Sequence, residues 1–118
     1  MPEVCFLVGS NDTVLWRDNS GTSAALPDSR ARWEAIWRHR ADLAEIAHSH
    51  PHGPLAFSAE DLTTMAAVDA ALGRPLCYSV VTGVKVLRRT AEGATLVLDR
   101  EPAWARVLRL ASGLTERK

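Results

Sequence analysis

His48-Ser49-His50-Pro51-His52-Gly53-Pro54 places two histidines, two residues apart, at the end of a predicted β-strand. Alternate side chains of a β-strand point to the same face, so His48 and His50 face one way and Ser49 faces the other. Their Cα atoms would lie roughly 6.6 Å apart, which lets two converging imidazole rings bind one metal ion. The turn that follows, rich in proline and glycine, ends the strand.

Ser58-Ala59-Glu60-Asp61 comes next and predicts the start of a helix that brings Asp61 back toward the histidines. Two histidines and one carboxylate form a set of three metal ligands. A structural zinc site normally has a fourth protein ligand, whereas three ligands leave one position open for water. The stretch therefore predicts a hydrolytic metal site.

Each of these residues also has a structural interpretation. Isolated histidines at this spacing are common in cores and on surfaces. Ser58 and Asp61, which precede an apolar helix, have the spacing of a capping box, in which both side chains only satisfy backbone amides.

The spacing of these residues resembles the motif of the JAMM metalloproteases, also called the JAB/MPN family. In that motif a His-x-His pair is followed by seven residues, a serine, two residues and an aspartate; Pro51 and Gly53 also match. The similarity is to small bacterial members. The resemblance implies that His48, His50 and Asp61 bind Zn²⁺ and that Ser58 helps to stabilise the oxyanion.

The family's general base is a glutamate on the first strand, which by resemblance is Glu3. Glu3-Val4-Cys5-Phe6-Leu7-Val8-Gly9 is similar to the family's Glu-x-Cys-Gly-Leu-Leu-x-Gly, although it is one residue shorter and has Phe6 in place of a glycine. A solvated terminal residue is the alternative interpretation of Glu3. Glu34 is the second candidate for the base, although its spacing also suits a surface ion pair with Arg38.

Length and composition indicate one domain spanning residues 1–118, with 47% hydrophobic residues to form its core. Acidic and basic residues balance, which argues against nucleic acid as a partner. The sequence has no apolar run long enough to span a membrane, and we expect a cytoplasmic protein. Cys5 and Cys77 do not make a disulfide framework.

Apolar periodicity predicts strands interleaved with three helices, an α/β or α+β fold around one sheet. The resemblance implies a curved sheet flanked by the helices. The first helix begins at Asp28 or Ser29 and would bury Trp33, Ile36 and Trp37, with its arginines in solvent. The predicted strands are Val4–Gly9, Thr13–Arg17, Leu43–His50, Leu76–Val81, Val84–Arg89 and Thr95–Leu98; the other helices begin at Ser58 and Pro102.

The resulting hypothesis is a zinc-dependent peptidase or isopeptidase. By resemblance, its substrate would be the C-terminus of a ubiquitin-like or sulfur-carrier protein. Two alternatives remain open at this stage: an inactive binding or scaffold module, and a hydrolase of a small non-peptide amide. The sequence does not fix the oligomeric state.

Overall fold

A computed structural model describes residues 2–19, 21 and 29–114. These residues form a six-stranded sheet with three helices. The elements in chain order are β1 (Cys5–Gly9), β2 (Val14–Asp18), α1 (Arg30–Arg38), β3 (Leu43–Ser49), α2 (Ala59–Leu72), β4 (Cys77–Val81), β5 (Val86–Arg89), β6 (Thr95–Val97) and α3 (Ala103–Ala111).

The strands lie in the order β2-β1-β3-β4-β5-β6. β3 and β4 are parallel and are joined through α2, whereas every other neighbouring pair is antiparallel. A parallel pair needs a crossover connection, and α2 supplies it. The predicted α+β fold, one sheet with three helices, is confirmed.

Helices cover the sheet on both faces, because the apolar residues of β1 alternate between two clusters. Cys5 and Leu7 pack in a cluster with residues of α1 and α2. Phe6 and Val8 pack in a second cluster with residues of α3. We call these two sides the α1/α2 face and the α3 face.

The helix ends follow local sequence signals. Ser29 is the N-cap of α1, and its hydroxyl accepts a hydrogen bond from the Arg32 amide. Gly73 ends α2 at φ +71°, a left-handed conformation that only glycine adopts without strain. Asp28, the other predicted cap, lies outside the described residues, as do most of the loop before it and residues 115–118.

Two predictions about α1 are wrong. Trp37 is 55% exposed rather than part of the core. Arg32, which was expected in solvent, is only 6% exposed and forms a buried ion pair with Asp18 at 3.3 Å. Helical periodicity predicted an apolar buried face for α1. The buried face instead includes Arg32, which pairs with Asp18 of β2.

β5 begins two residues later than predicted. The Thr82 amide donates to the Lys85 carbonyl at 3.0 Å, so residues 82–85 form a four-residue turn. Val84 lies in this turn and is largely exposed. Among the helices of the described residues, none combines the length and the apolar character that crossing a bilayer requires.

A largely buried charge pair stabilises the α3 face of the sheet. Glu45 lies on the α3 face and accepts two hydrogen bonds from Arg88, at 3.0 and 2.9 Å. The Ser79 hydroxyl donates to the same carboxylate. Removing one partner of a buried pair leaves the other charge without compensation, and this costs more than the pair itself contributes.

We therefore expect Arg88→Met to lower the free energy of unfolding by about 3 kcal/mol, measured by chemical denaturation. Arg30→Met is the matched control, because Arg30 pairs with Glu34 on the surface and its side chain is 92% exposed. Equal denaturation midpoints for the two variants would contradict the stabilising role of the Glu45–Arg88 pair.

Candidate metal centre

Two histidines converge at the end of β3, on the α1/α2 face. His48 pairs with Cys5 across β1 and β3, and so it faces the same side as Cys5. His50 follows the strand, with its amide bonded to the Val81 carbonyl at 2.9 Å. The Nε2 atoms of His48 and His50 lie 2.9 Å apart. The strand geometry therefore brings the two rings together, as the sequence predicts.

Asp61 approaches this pair from the first turn of α2. Its Oδ1 lies 3.3 Å from Nε2 of His48, and its Oδ2 lies 3.4 Å from Nε2 of His50. Atoms bound to a tetrahedral zinc at about 2.0–2.1 Å lie about 3.3 Å from one another. The contacts from the two histidine nitrogens to the Asp61 carboxylate thus have nearly this spacing, and two imidazoles with one carboxylate fit a zinc ion.

The Pro54 carbonyl fixes the orientation of His50. It lies 3.1 Å from Nδ1 of the ring, which donates to it and leaves the Nε2 lone pair free to bind a metal. This partner could not be predicted from the sequence, because a backbone carbonyl in a turn has no side-chain signal. The Pro/Gly turn thus supports the site as well as ending the strand.

Glu3 lies beside the histidines rather than in solvent. Continuing the β1–β3 register by two residues places Glu3 opposite His50 on the same face. Its side chain is 9% exposed, and one carboxylate oxygen lies within 4.8 Å of the ligand atoms of His48 and His50. Glu3, His48 and His50 form a group that could hold a metal ion. The alternative of a solvated terminal residue is wrong.

Two carboxylates, Glu3 and Asp61, lie beside the histidines, and the pKa values of these groups depend on one another. Burial raises the pKa of Glu3, and the facing histidines offset part of this rise. Burial would also raise the pKa of Asp61, but hydrogen bonds from His48 and His50 outweigh it and hold that pKa far below its usual value. Burial alone would lower the pKa of His50; the bonds to Asp61 and Pro54 reverse this and raise it.

Ser58 and Asp61 form the capping box that was the structural alternative. The Ser58 hydroxyl accepts from the Asp61 amide at 3.0 Å, and the Asp61 carboxylate accepts from the Ser58 amide at 2.8 Å. The proton of the Ser58 hydroxyl is not used in that bond. Ser58 also lines the same cleft as Glu3, His48 and His50. The capping role and a role in the site are therefore compatible.

The other glutamates that could act as a base differ in whether they lie at the cleft. Glu34 is exposed on α1 and pairs with Arg30 at 2.8 Å, not with Arg38 as the spacing suggested, and it does not line the cleft. Glu45 lies on the opposite face, as strand parity predicts. Glu60, next to Asp61 on α2, lines the cleft.

The cleft at the site lies over the α1/α2 face and has a volume of about 830 Å³. Its apolar lining comes mainly from the core on that side and includes Ile36, Phe57, Met65 and Val68. Arg32 also lines it. Sequence reasoning missed Arg32 because a basic residue on an amphipathic helix normally lies in solvent.

Gly53 lies so close to the ring of His50 that a larger residue would displace it. A Cβ at position 53 would lie 3.0 Å from Cβ and 3.2 Å from Nδ1 of His50. We expect Gly53→Ala to weaken the Nδ1–Pro54 bond and to lower the affinity for a divalent metal about tenfold to a hundredfold, measured by competition with a chromophoric chelator.

Gly83→Ala is the control for that measurement, because a Cβ at position 83 would meet no atom within 4 Å. Its metal affinity should equal that of the wild type. An unchanged affinity in Gly53→Ala would show that the ring does not depend on this close contact.

Comparison with known proteins identifies the family of the chain. No curated protein matches the chain. A family model for prokaryotic homologs of the JAB domain matches residues 3–97, a range that includes Glu3, both histidines, Ser58 and Asp61. The JAB family is commonly hydrolytic and typically depends on a metal. The chain belongs to the prokaryotic branch of the JAB domain family.

Proposed function

We propose that this protein is a zinc-dependent metallopeptidase of the JAMM type. The observation that carries the proposal is the convergence of His48, His50 and Asp61 beside the buried carboxylate of Glu3. The two Nε2 atoms lie 2.9 Å apart, and each lies 3.3 or 3.4 Å from a different oxygen of Asp61. Two imidazoles and one carboxylate are the protein ligands of several catalytic zinc sites. Three ligands leave a coordination position for chemistry.

Glu3 is assigned as the base rather than as a ligand. The Asp61 carboxylate contacts both histidine nitrogens, at 3.3 and 3.4 Å through its two oxygens, and we therefore assign Asp61 as the third ligand. Glu3 approaches from the segment just before β1, on the same face. Because burial raises its pKa, its carboxylate is a stronger base at neutral pH than a solvated one.

A bound zinc ion would polarise the scissile carbonyl and lower the pKa of a water molecule to about 7. Glu3 takes the proton from the attacking water as its oxygen bonds to the carbonyl carbon. The Ser58 hydroxyl donates a hydrogen bond to the oxygen on which negative charge develops. The carbon–nitrogen bond then breaks, and Glu3 returns the proton to the leaving amine, so that one amide and one water give an acid and an amine.

The substrate we propose is a peptide, or the C-terminal tail of a ubiquitin-like or sulfur-carrier protein. The cleft volume of about 830 Å³ lies in the upper range for ligand sites and suits several residues of extended chain. Its apolar lining suits side chains next to the reacting bond. A small non-peptide amide would leave most of this surface uncovered.

The first test combines metal content with turnover. Purified protein should bind one zinc per chain and cleave a C-terminal peptide amide of a ubiquitin-like protein, and a chelator should abolish cleavage. Glu3→Gln should retain zinc and lose about 10²–10⁴-fold in kcat, because it removes the base and leaves the ligands. His48→Ala and Asp61→Ala should lose the zinc.

Glu34→Gln is the matched control and should keep full activity, because Glu34 lies outside the cleft. Bound zinc without turnover on a broad peptide panel would overturn the peptidase assignment and favour a binding module. Turnover of small amides alone would overturn the proposed substrate class. Full activity in Glu3→Gln would overturn the role of Glu3.

Ser58 can be tested separately for its two roles. Ser58→Ala should lower the free energy of unfolding by about 1 kcal/mol, whereas Ser58→Gly should cost only a few tenths, because glycine is an acceptable N-cap. Both variants lack the hydroxyl, so both should lose about 10²-fold in kcat. If kcat instead follows stability, with Ser58→Gly close to wild type, the hydroxyl acts only as a cap.

A further inference from the structure

A pair of buried serines connects the strand of the histidines to the strand of Glu3. Ser49 stands between the two histidines, but its side chain points to the opposite face of the sheet and is fully buried. Ser112, at the C-terminal end of α3, is also fully buried. Their Oγ atoms lie 2.8 Å apart. Neither residue has a part in the reaction proposed above.

The direction of each hydrogen bond follows from counting protons. Ser112 donates its single hydroxyl proton to the Pro2 carbonyl at 2.5 Å. Ser49 must therefore donate to Ser112, since each hydroxyl has only one proton. The Oγ of Ser49 in turn accepts from the Val4 amide at 2.9 Å. The chain of donors runs from Val4 through Ser49 and Ser112 to Pro2.

The two ends of this chain lie on either side of one residue. The Pro2 carbonyl belongs to the peptide unit before Glu3, and the Val4 amide belongs to the peptide unit after it. The hydroxyls thus close a ring around the backbone of Glu3, and the bond from the Ser49 amide to the Val4 carbonyl, 3.0 Å, ties the same strand to β3. Hydrogen bonds linked in this way in a buried environment strengthen one another.

We propose that Ser49 and Ser112 form a clamp that positions Glu3 for its role as the base. The clamp holds both peptide units of Glu3 from the α3 face, so that its side chain is aimed at the histidines on the opposite face. β1 begins only at Cys5, and Glu3 therefore lies before the regular strand. The hydrogen bonds of the clamp hold the backbone of Glu3 in place, as the strand-to-strand hydrogen bonds of a regular strand would otherwise do. Ser49 and Ser112 are positioning residues, and this role rests on the function proposed above.

Ser112→Ala is the direct test, because Ser112 is remote in sequence from every proposed ligand and contacts none of them in the bonds described. We expect kcat to fall at least tenfold with KM within twofold of the wild type and with zinc content unchanged, since small misplacements of catalytic groups cost up to ~10² in rate. Hydrogen exchange at the Val4 amide should become at least tenfold faster. Ser112→Cys, which keeps a weaker donor at nearly the same volume, should be intermediate.

Ser79→Ala is the matched control. Ser79 is a fully buried serine on the same α3 face, and it donates to Glu45 rather than to the strand of Glu3. It should lose stability by an amount similar to Ser112→Ala but keep the wild-type kcat and Val4 exchange. If Ser112→Ala matches Ser79→Ala in both measurements, the clamp has only a structural role and the proposal is overturned.

Failure of the proposed function would be visible separately, as a wild-type protein that cleaves no amide. In that case the Val4 exchange rate and the ¹³C shift of the Glu3 carboxyl group decide the positioning question without turnover. A change of both in Ser112→Ala, absent from Ser79→Ala, supports the clamp. No change in either contradicts it.

Discussion

β1 and β3 pair as antiparallel neighbours in the middle of the sheet, and their register, with Cys5 opposite His48, fixes which side chains share a face. A slip of one residue would send Glu3 to the α3 face and separate it from the histidines. The slip is prevented because Phe6 and Val8 fill the core under α3 while Leu7 fills the core on the other face. The packing of ordinary apolar residues thus determines where the base and the ligands meet.

The charged groups of the site also depend on one another. Glu3 and Asp61 place two carboxylates next to two imidazoles in a partly buried cleft, and burial of like charges is costly unless positive charge compensates them. The raised pKa of His50 reflects that demand, since a proton on the ring supplies part of the missing charge. A divalent cation would supply it more completely and would bind the same Nε2 atom. The carboxylates that raise the pKa of His50 therefore also favour a metal ion.

The sequence predicted those features that follow from local chemistry. The N-cap at Ser29 and the capping box at Ser58 each depend on a few neighbouring residues, and the structure shows both. The convergence of His48, His50 and Asp61 is long-range, and it was predictable because strand parity and a first-turn helix position leave few alternatives. Their role as ligands stays a prediction.

What the sequence missed depended on tertiary partners. Arg32 is buried because Asp18 lies across from it, and no periodicity in α1 reveals that ion pair. The Pro54 carbonyl is a backbone group and carries no residue-specific signal. Trp37 and Ile36 matched the same apolar stripe, yet of these two only Ile36 is buried. In each case the outcome depends on how segments distant in sequence pack together, which local sequence patterns do not reveal.

The capping box and the ligand set are two uses of the same carboxylate. Oδ2 of Asp61 accepts the Ser58 amide at 2.8 Å, while Oδ1 and Oδ2 each face a histidine nitrogen. A carboxylate has about four lone-pair positions, so the cap does not exhaust its capacity to bind a metal. The cap instead fixes the Asp61 side chain before a metal ion binds. The conformational entropy of that side chain is therefore lost on folding and not on metal binding. The same capping spacing that argued for a purely structural role therefore prepares Asp61 to act as a ligand.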